Sequence, residues 1–289
     1  MVTSDAGQPI LPITNADGLR LDINAARKIG ESLRESYTTA SPFPHIIMDN
    51  FLPDDLANTI LNNFPHDPHE HDLNFEAGYS GYHKRLIQPI DCKEFVRNLF
   101  YFFNSEPMIQ FLEKMTGISG LIPDPYFQGG GFHEISTGGL LGVHTDFRIN
   151  EQLLLERRMN LLIYLNPEWQ TLWGGQLGLW DPEMKNEIQK IDPLFNRAVV
   201  FNTDAASYHG HPDPLACPPD VKRRSIALYY YTASKNILNE LPANSTIYVP
   251  RSHEKFADRY EAWRVRMFSY LKDWLPPVAF RALRRILSR

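Results

Sequence analysis

Gly142-Val143-His144-Thr145-Asp146, with His209 in Tyr208-His209-Gly210 and the run Arg223-Arg224-Ser225-Ile226-Ala227-Leu228-Tyr229-Tyr230-Tyr231 after it, is the part of this chain from which a fold follows. Side chains two apart on an extended strand share a face, so His144 and Asp146 present an imidazole and a carboxylate side by side. His209 follows the apolar run Arg197-Ala198-Val199-Val200-Phe201-Asn202-Thr203, which reads as a strand ending in a polar turn. The glycines at 138, 139 and 142 mark a strand whose backbone turns tightly or meets a neighbour closely. Two imidazoles and one carboxylate converging from strand ends suit a non-haem iron, bound on one face with the opposite positions open.

Alternation along the last run puts Arg223, Ser225, Ala227, Tyr229 and Tyr231 on one face and Arg224, Ile226, Leu228 and Tyr230 on the other. One arginine must therefore point inward. A buried guanidinium is costly without an anion, and its planar fork suits a carboxylate such as the distal one of 2-oxoglutarate, with Ser225 as a second donor.

The residues from Gly138 to Tyr231 resemble the Fe(II)/2-oxoglutarate-dependent dioxygenases, in particular the prolyl 4-hydroxylase-like branch. The resemblance is carried by 142–146, by Arg158-Met159-Asn160-Leu161-Leu162-Ile163-Tyr164-Leu165-Asn166-Pro167-Glu168-Trp169, by Gly174-Gly175-Gln176-Leu177-Gly178-Leu179-Trp180, by 193–201, and by His209 and Arg223-x-Ser225. It implies a mainly β fold with flanking α-helices on a double-stranded β-helix (jelly-roll, cupin-like) core. It further implies His144, Asp146 and His209 as iron ligands and catalytic centre, Arg223 as the 2-oxoglutarate anchor, Tyr164 as a hydrogen-bond donor to it, and Ser225 as part of the Arg-x-Ser pattern. The cofactors implied are Fe(II), 2-oxoglutarate and O2, with the need for ascorbate left open. The carboxylate at Asp146 favours hydroxylation over halide transfer, since halogenating relatives lack it.

The same resemblance implies a hydroxylated prolyl residue or amino acid, with a sugar, lipid-linked glycan or secondary metabolite as the alternative. A non-catalytic 2-oxoglutarate or metal sensor is the alternative outside enzymes. Two departures stand out. Where many relatives carry a Tyr about ten residues before the first ligand, this chain reads Phe132-His133-Glu134-Ile135-Ser136; and His211 is a second candidate beside His209.

With 289 residues, 43% of them hydrophobic, the chain can bury a sizeable core, and a net charge of -5 argues against a nucleic-acid partner. Two cysteines, Cys92 and Cys217, give no disulfide framework, and 1–15 lacks the pattern of a secretory leader; a reducing, cytoplasmic setting is expected. The expected layout is one structural unit. It comprises helical support and a lid in 1–119, the barrel in 120–235 and a helical extension in 236–289. Helices are expected at about 23–37, 53–64 and 93–115, the last stopped by Thr116-Gly117, with a short strand at 44–49. The cluster His66-Asp67-Pro68-His69-Glu70-His71-Asp72 is read chiefly as an exposed loop and only secondarily as a metal site. Tyr79, Tyr82, His83, Lys84 and Arg85 form the candidate lid, with a mobile surface loop as the alternative. Near the end, Phe280, Leu283, Ile286 and Leu287 oppose Arg281, Arg284 and Arg285, a short basic amphipathic helix that would suit peripheral membrane contact or packing on the barrel.

Overall fold

The computed structural model describes residues 2, 8–76, 78–233 and 246–274. Among the described residues, four helices lie before residue 120: α1 (Ile23–Thr38), α2 (Asp54–Asn62), α3 (Glu94–Phe103) and α4 (Glu106–Thr116). Each has a local cause. The Asp22 carboxylate accepts from the Ala25 N–H at 2.8 Å and caps α1. Pro53 stands before α2, whose first turn holds Asp54 and Asp55 against the positive end of the helix dipole. Gly117 stops α4 in the left-handed region, φ 75°.

The strands are β1 (His45–Met48), β2 (Leu73–Phe75), β3 (Tyr82–Ile87), β4 (Ile122–Pro123), β5 (Gly131–Thr145), β6 (Ile149–Asn150) and β7 (Leu155–Tyr164). They continue with β8 (Leu177–Trp180), β9 (Glu187–Ile191), β10 (Ala198–Asn202), β11 (His209–His211), β12 (Arg223–Ala233) and β13 (Ile247–Tyr248). A final helix, α5, spans Phe256–Trp274. The pairing order is β1-β10-β7-β12-β5-β11-β8-β9, antiparallel throughout. This is the jelly-roll barrel. β5 holds it together: its first half, Gly131–Ile135, pairs with β12, and its second half pairs with β11 and β13. One long strand thus passes from one sheet to the other and delivers His144 at the barrel mouth.

Alternation sorts the side chains. Met48, Leu161, Ile163, Val200, Ile226, Leu228 and Tyr230 face outward into the large core formed with the helices. Phe43, Ile47, Tyr164, Leu177, Leu179, Ile191, Val199 and Phe201 fill the interior. The helices therefore form a supporting layer on one sheet, as expected. Gly30 lets α1 and α4 approach closely, since a Cβ there would collide with the Phe111 carbonyl.

Two sequence expectations need correction. The segment expected as a lid or a mobile loop is structural: Tyr82–Ile87 is strand β3, hydrogen-bonded to β5 from Leu86↔His133 to Lys84↔Ile135, because its alternating residues satisfy the open edge of β5. The sheet also begins before residue 120, since β1 and β3 are both part of it. Among the described residues, 66–72 hold no metal-ligand group. Asp72 accepts from Arg85 at 2.7 Å, and the His71 ring meets Asp91 at 2.9 Å. The amphipathic segment 278–289 lies outside the described residues.

Candidate active site

β5 and β11 run antiparallel with His144 directly opposite His209, and the two rings sit 4.5 Å apart between centroids. This register depends on glycine. A Cβ at Gly210 would lie 2.7 Å from the Gly142 carbonyl oxygen, and one at Gly142 would collide with the Tyr79 ring. Asp146 lies one residue beyond the end of β5, where the chain turns its carboxylate back toward the rings. The His144 Nε2 is 3.7 Å from one carboxylate oxygen and the His209 Nε2 is 3.5 Å from the other. One ligand atom from each of the three residues falls within 4.8 Å of the others. His211 is not part of this group; it is buried on the cavity wall with both ring nitrogens unpaired among the described residues.

Each imidazole is oriented from behind. The His144 Nδ1 lies 2.8 Å from the Gly142 carbonyl and the His209 Nδ1 lies 2.9 Å from the Ser207 carbonyl. A carbonyl only accepts, so both rings carry hydrogen on Nδ1 and turn the Nε2 lone pair toward Asp146. Burial, reinforced by His209, pushes the His144 pKa down to about 3, and burial lowers His209 as well, so both stay neutral. Burial pushes the Asp146 carboxyl up, but the Arg157 guanidinium and the hydrogen bond from Asn160 oppose it, and the group is held well below the usual carboxylate range. The site is thus two free imidazole lone pairs around a fixed anion.

Asn160 and Arg157, both on β7, were missed as functional residues. The Asn160 amide donates to Asp146 at 2.8 Å, and Arg157 reaches the same carboxylate at 3.0 Å. Arg157 also donates twice to the Asn160 carbonyl oxygen, at 2.9 and 2.7 Å, and lies 3.5 Å over the Tyr229 ring. Asn160 could have been found, because it shares the inward parity of Leu162 and Tyr164. Arg157 breaks that parity. The β7–β12 register shifts between Tyr230 and Tyr231, skipping Arg158, so the bulge turns Arg157 inward in its place.

The inward arginine of β12 is Arg223, 5% exposed. Its Nε donates to the Gly175 carbonyl at 2.7 Å and its Nη2 to the Tyr164 hydroxyl at 3.3 Å. No carboxylate of the described residues pairs with it, and the rest of the fork faces the cavity. Arg224 points the other way, onto Glu134 at 3.0 Å and the Phe64 ring. Ser225, His133 and Tyr229 line the same cavity, of about 200 Å3, while Tyr164 is fully buried behind Arg223. His133, adjacent in the chain to the position where relatives carry a Tyr, pairs with Ser225 across β5 and β12. Burial, then the charge of Lys84, holds it well below its usual pKa.

Residues 130–231 match the family model of the 2OG-Fe(II) oxygenase superfamily. The barrel is thus similar to that superfamily over the strands that carry the site. Prolyl 3-hydroxylase OGFOD1 of Mus musculus is 24% identical over 251 residues, which are 78% of this chain and 42% of that protein. The chain therefore spans less than half the length of the curated relative it matches. Among solved structures, a prolyl hydroxylase from Trichoplax adhaerens in complex with a hypoxia inducible factor peptide gives a TM-score of 0.49 at 18% identity, covering 72% of this chain and 91% of that one. HygX from Streptomyces hygroscopicus, with nickel, 2-oxoglutarate and hygromycin B bound, gives 0.49 at 9% identity over 70% and 86%.

The oxygenase cofactors fit this barrel on its own geometry. The donor set is two neutral nitrogens and one carboxylate, which would suit Fe(II), and all three residues line the cavity. The half-satisfied guanidinium of Arg223 suits a dicarboxylate.

Proposed function

We propose that this chain is an Fe(II)- and 2-oxoglutarate-dependent hydroxylase acting on a peptide or small molecule, with a prolyl residue or a free amino acid as the oxidised group. The observation that carries the reading is the open fork of Arg223 in the same cavity as the His144, Asp146 and His209 triad. A metal site alone would leave that buried cation without purpose.

His144, Asp146 and His209 hold the metal, with the Gly142 and Ser207 carbonyls fixing the rings. Arg223, steadied by Gly175 and Tyr164, receives the distal carboxylate of 2-oxoglutarate, and Ser225 offers a second donor. Leu141, Leu162, Leu177 and Phe201 form the apolar part of the cavity lining. When bound, Fe(II) with 2-oxoglutarate and O2 supplies oxidation of an unactivated C–H bond, coupled to release of succinate and CO2. Support for a prolyl substrate comes from the similarity to OGFOD1, a prolyl 3-hydroxylase by name. The buried free thiols of Cys92 and Cys217 suit a reducing cytoplasm.

The test is anaerobic titration of the metal-free protein with Fe(II) and then 2-oxoglutarate, followed by the visible charge-transfer band of the chelate. The band is expected in the unsubstituted chain and lost in Asp146→Ala. No band, or a preference for Zn(II) without 2-oxoglutarate binding, would falsify the reading. Succinate release with prolyl peptides against pools of amino acids and sugars then sorts the substrate class.

A further inference from the structure

The charges lining the cavity do not balance when both cofactors are counted. Its wall carries Lys84, Arg157, Arg223 and Asp146. Arg157 is paired with Asp146, and Arg223 faces the place suited to 2-oxoglutarate. A divalent iron and a doubly charged 2-oxoglutarate add no net charge, so the lining keeps two surplus cations, Arg223 and Lys84. The distal carboxylate of 2-oxoglutarate would meet Arg223, and Lys84 has no such partner.

Its placement is set by strand register. Lys84 on β3 pairs with Ile135 on β5, and Ile135 pairs with Arg223 on β12. Directly opposed residues share a face, so the three side chains form one row across the cavity wall with Ile135 between the two cations. Two strand spacings separate the backbones of Lys84 and Arg223, roughly 10 Å. A dicarboxylate held by Arg223 and the metal therefore leaves Lys84 at the outer side of the row. There the Lys84 ammonium sits 5.1 Å from the Phe75 ring centroid, with no hydrogen bond or ion pair to any described residue. Burial pushes its pKa down to about 8, Arg223 and Arg157 add to the effect, and Asp146 opposes it. An aromatic ring beside an unpaired, half-buried ammonium makes a receiving site for a flat acid.

We propose that Lys84 binds a carboxylate of the primary substrate, so that the hydroxylase takes an acid: a free cyclic amino acid, or a prolyl residue beside an acidic side chain. This rests on the oxygenase reading of the same cavity. Lys84 is then a specificity residue rather than a catalytic one, and β3 sets substrate choice from outside the strands that hold the iron.

The test uses acid and amide pairs as probes: L-proline against L-prolinamide, and prolyl heptapeptides with Glu against Gln next to the proline. Binding is measured by calorimetry on the chain loaded anaerobically with Fe(II) and 2-oxoglutarate, and succinate formation is followed in air. The acid is expected to bind about tenfold better than its amide, the scale of one charge-assisted hydrogen bond. That preference should vanish in Lys84→Met and survive in Lys84→Arg, whose retained charge separates loss of the anion site from loss of the fold. Preference for the proline pair assigns the amino-acid carboxylate, and preference for the heptapeptide pair assigns the acidic side chain. Equal binding of acid and amide, or no binding of either at millimolar concentration, overturns the inference. So does a Lys84→Met chain with weakened 2-oxoglutarate binding, which would give the ammonium to the cosubstrate. A missing chelate band in the unsubstituted chain takes the oxygenase reading down with it, whereas a normal band without acid preference sinks Lys84 alone.

Discussion

Asp146 has to satisfy two demands at once, and its neighbours divide the work. Asn160 and Arg157 hold one side of the carboxylate by a 2.8 Å hydrogen bond and a 3.0 Å ion pair, leaving the remaining lone pairs for a metal. Such outer partners typically govern affinity by about 10–100-fold. Asn160→Ala should therefore weaken Fe(II) binding on that scale while leaving secondary structure intact, as read by anaerobic metal titration beside circular dichroism. Unchanged affinity would mean that Arg157 alone orients the carboxylate. Arg223 is proposed to serve the other cofactor: Arg223→Ala should raise the 2-oxoglutarate concentration needed for the chelate band and leave metal affinity close to that of the unsubstituted chain. If affinity for 2-oxoglutarate stays the same, the anchor is elsewhere in the cavity. These residues show how far the chain could be read in advance. Strand alternation required one inward arginine and the family resemblance chose Arg223; alternation could also have found Asn160. Arg157 did not, because a single skipped residue in the β7–β12 register reverses parity and nothing in the local sequence marks that bulge.

Elements transmit these demands through close backbone contacts. Gly175 has φ +74°, and a Cβ there would come within 3.0 Å of the Arg223 Cδ and 2.6 Å of the Leu215 side chain. Gly175→Ala is expected to push the guanidinium aside, costing about 1–3 kcal/mol of stability and mimicking Arg223→Ala in the 2-oxoglutarate titration. Gly30 provides the contrast. A side chain there would wedge α1 from α4 far from the cavity, so Gly30→Ala should cost a similar ~1–3 kcal/mol in urea denaturation yet keep the chelate band at ordinary 2-oxoglutarate concentrations. A Gly30 variant that loses cosubstrate binding would show that the helical layer shapes the site. β3 makes the same point in reverse. Its Tyr, His and Lys residues read as a polar cover, but the open edge of β5 recruited it as a strand, and that pairing turned Lys84 into the cavity.

At the scale of the whole molecule, the buried imidazoles are kept neutral by desolvation. His45 and His133 both have pKa values lowered from the usual 6.5, chiefly by desolvation. The sign follows from proton counting. Below about pH 6.5 the unfolded chain binds protons at these residues that the folded chain does not, so their contribution to stability is present above that pH and declines as pH falls. The metal-free protein should therefore show a thermal midpoint that drops between pH 7 and pH 5, by an amount reduced in His45→Gln. A midpoint that holds or rises over that interval would refute burial as the controlling influence.

Residue types in a short-range pattern determined the chemistry by themselves. A His-x-Asp pair, a distant His at a strand end and an inward Arg-x-Ser have few uses other than a metal with a carboxylate partner, and alternation and capping are local enough to be read from spacing. Tertiary structure alone decided which arginine supports Asp146, that 82–87 is a wall and not a cover, and that an unpaired ammonium faces the cavity. Each of these depends on which strands meet and at what offset. Register is fixed by contacts between residues far apart in the chain, so neighbouring sequence carries no record of it.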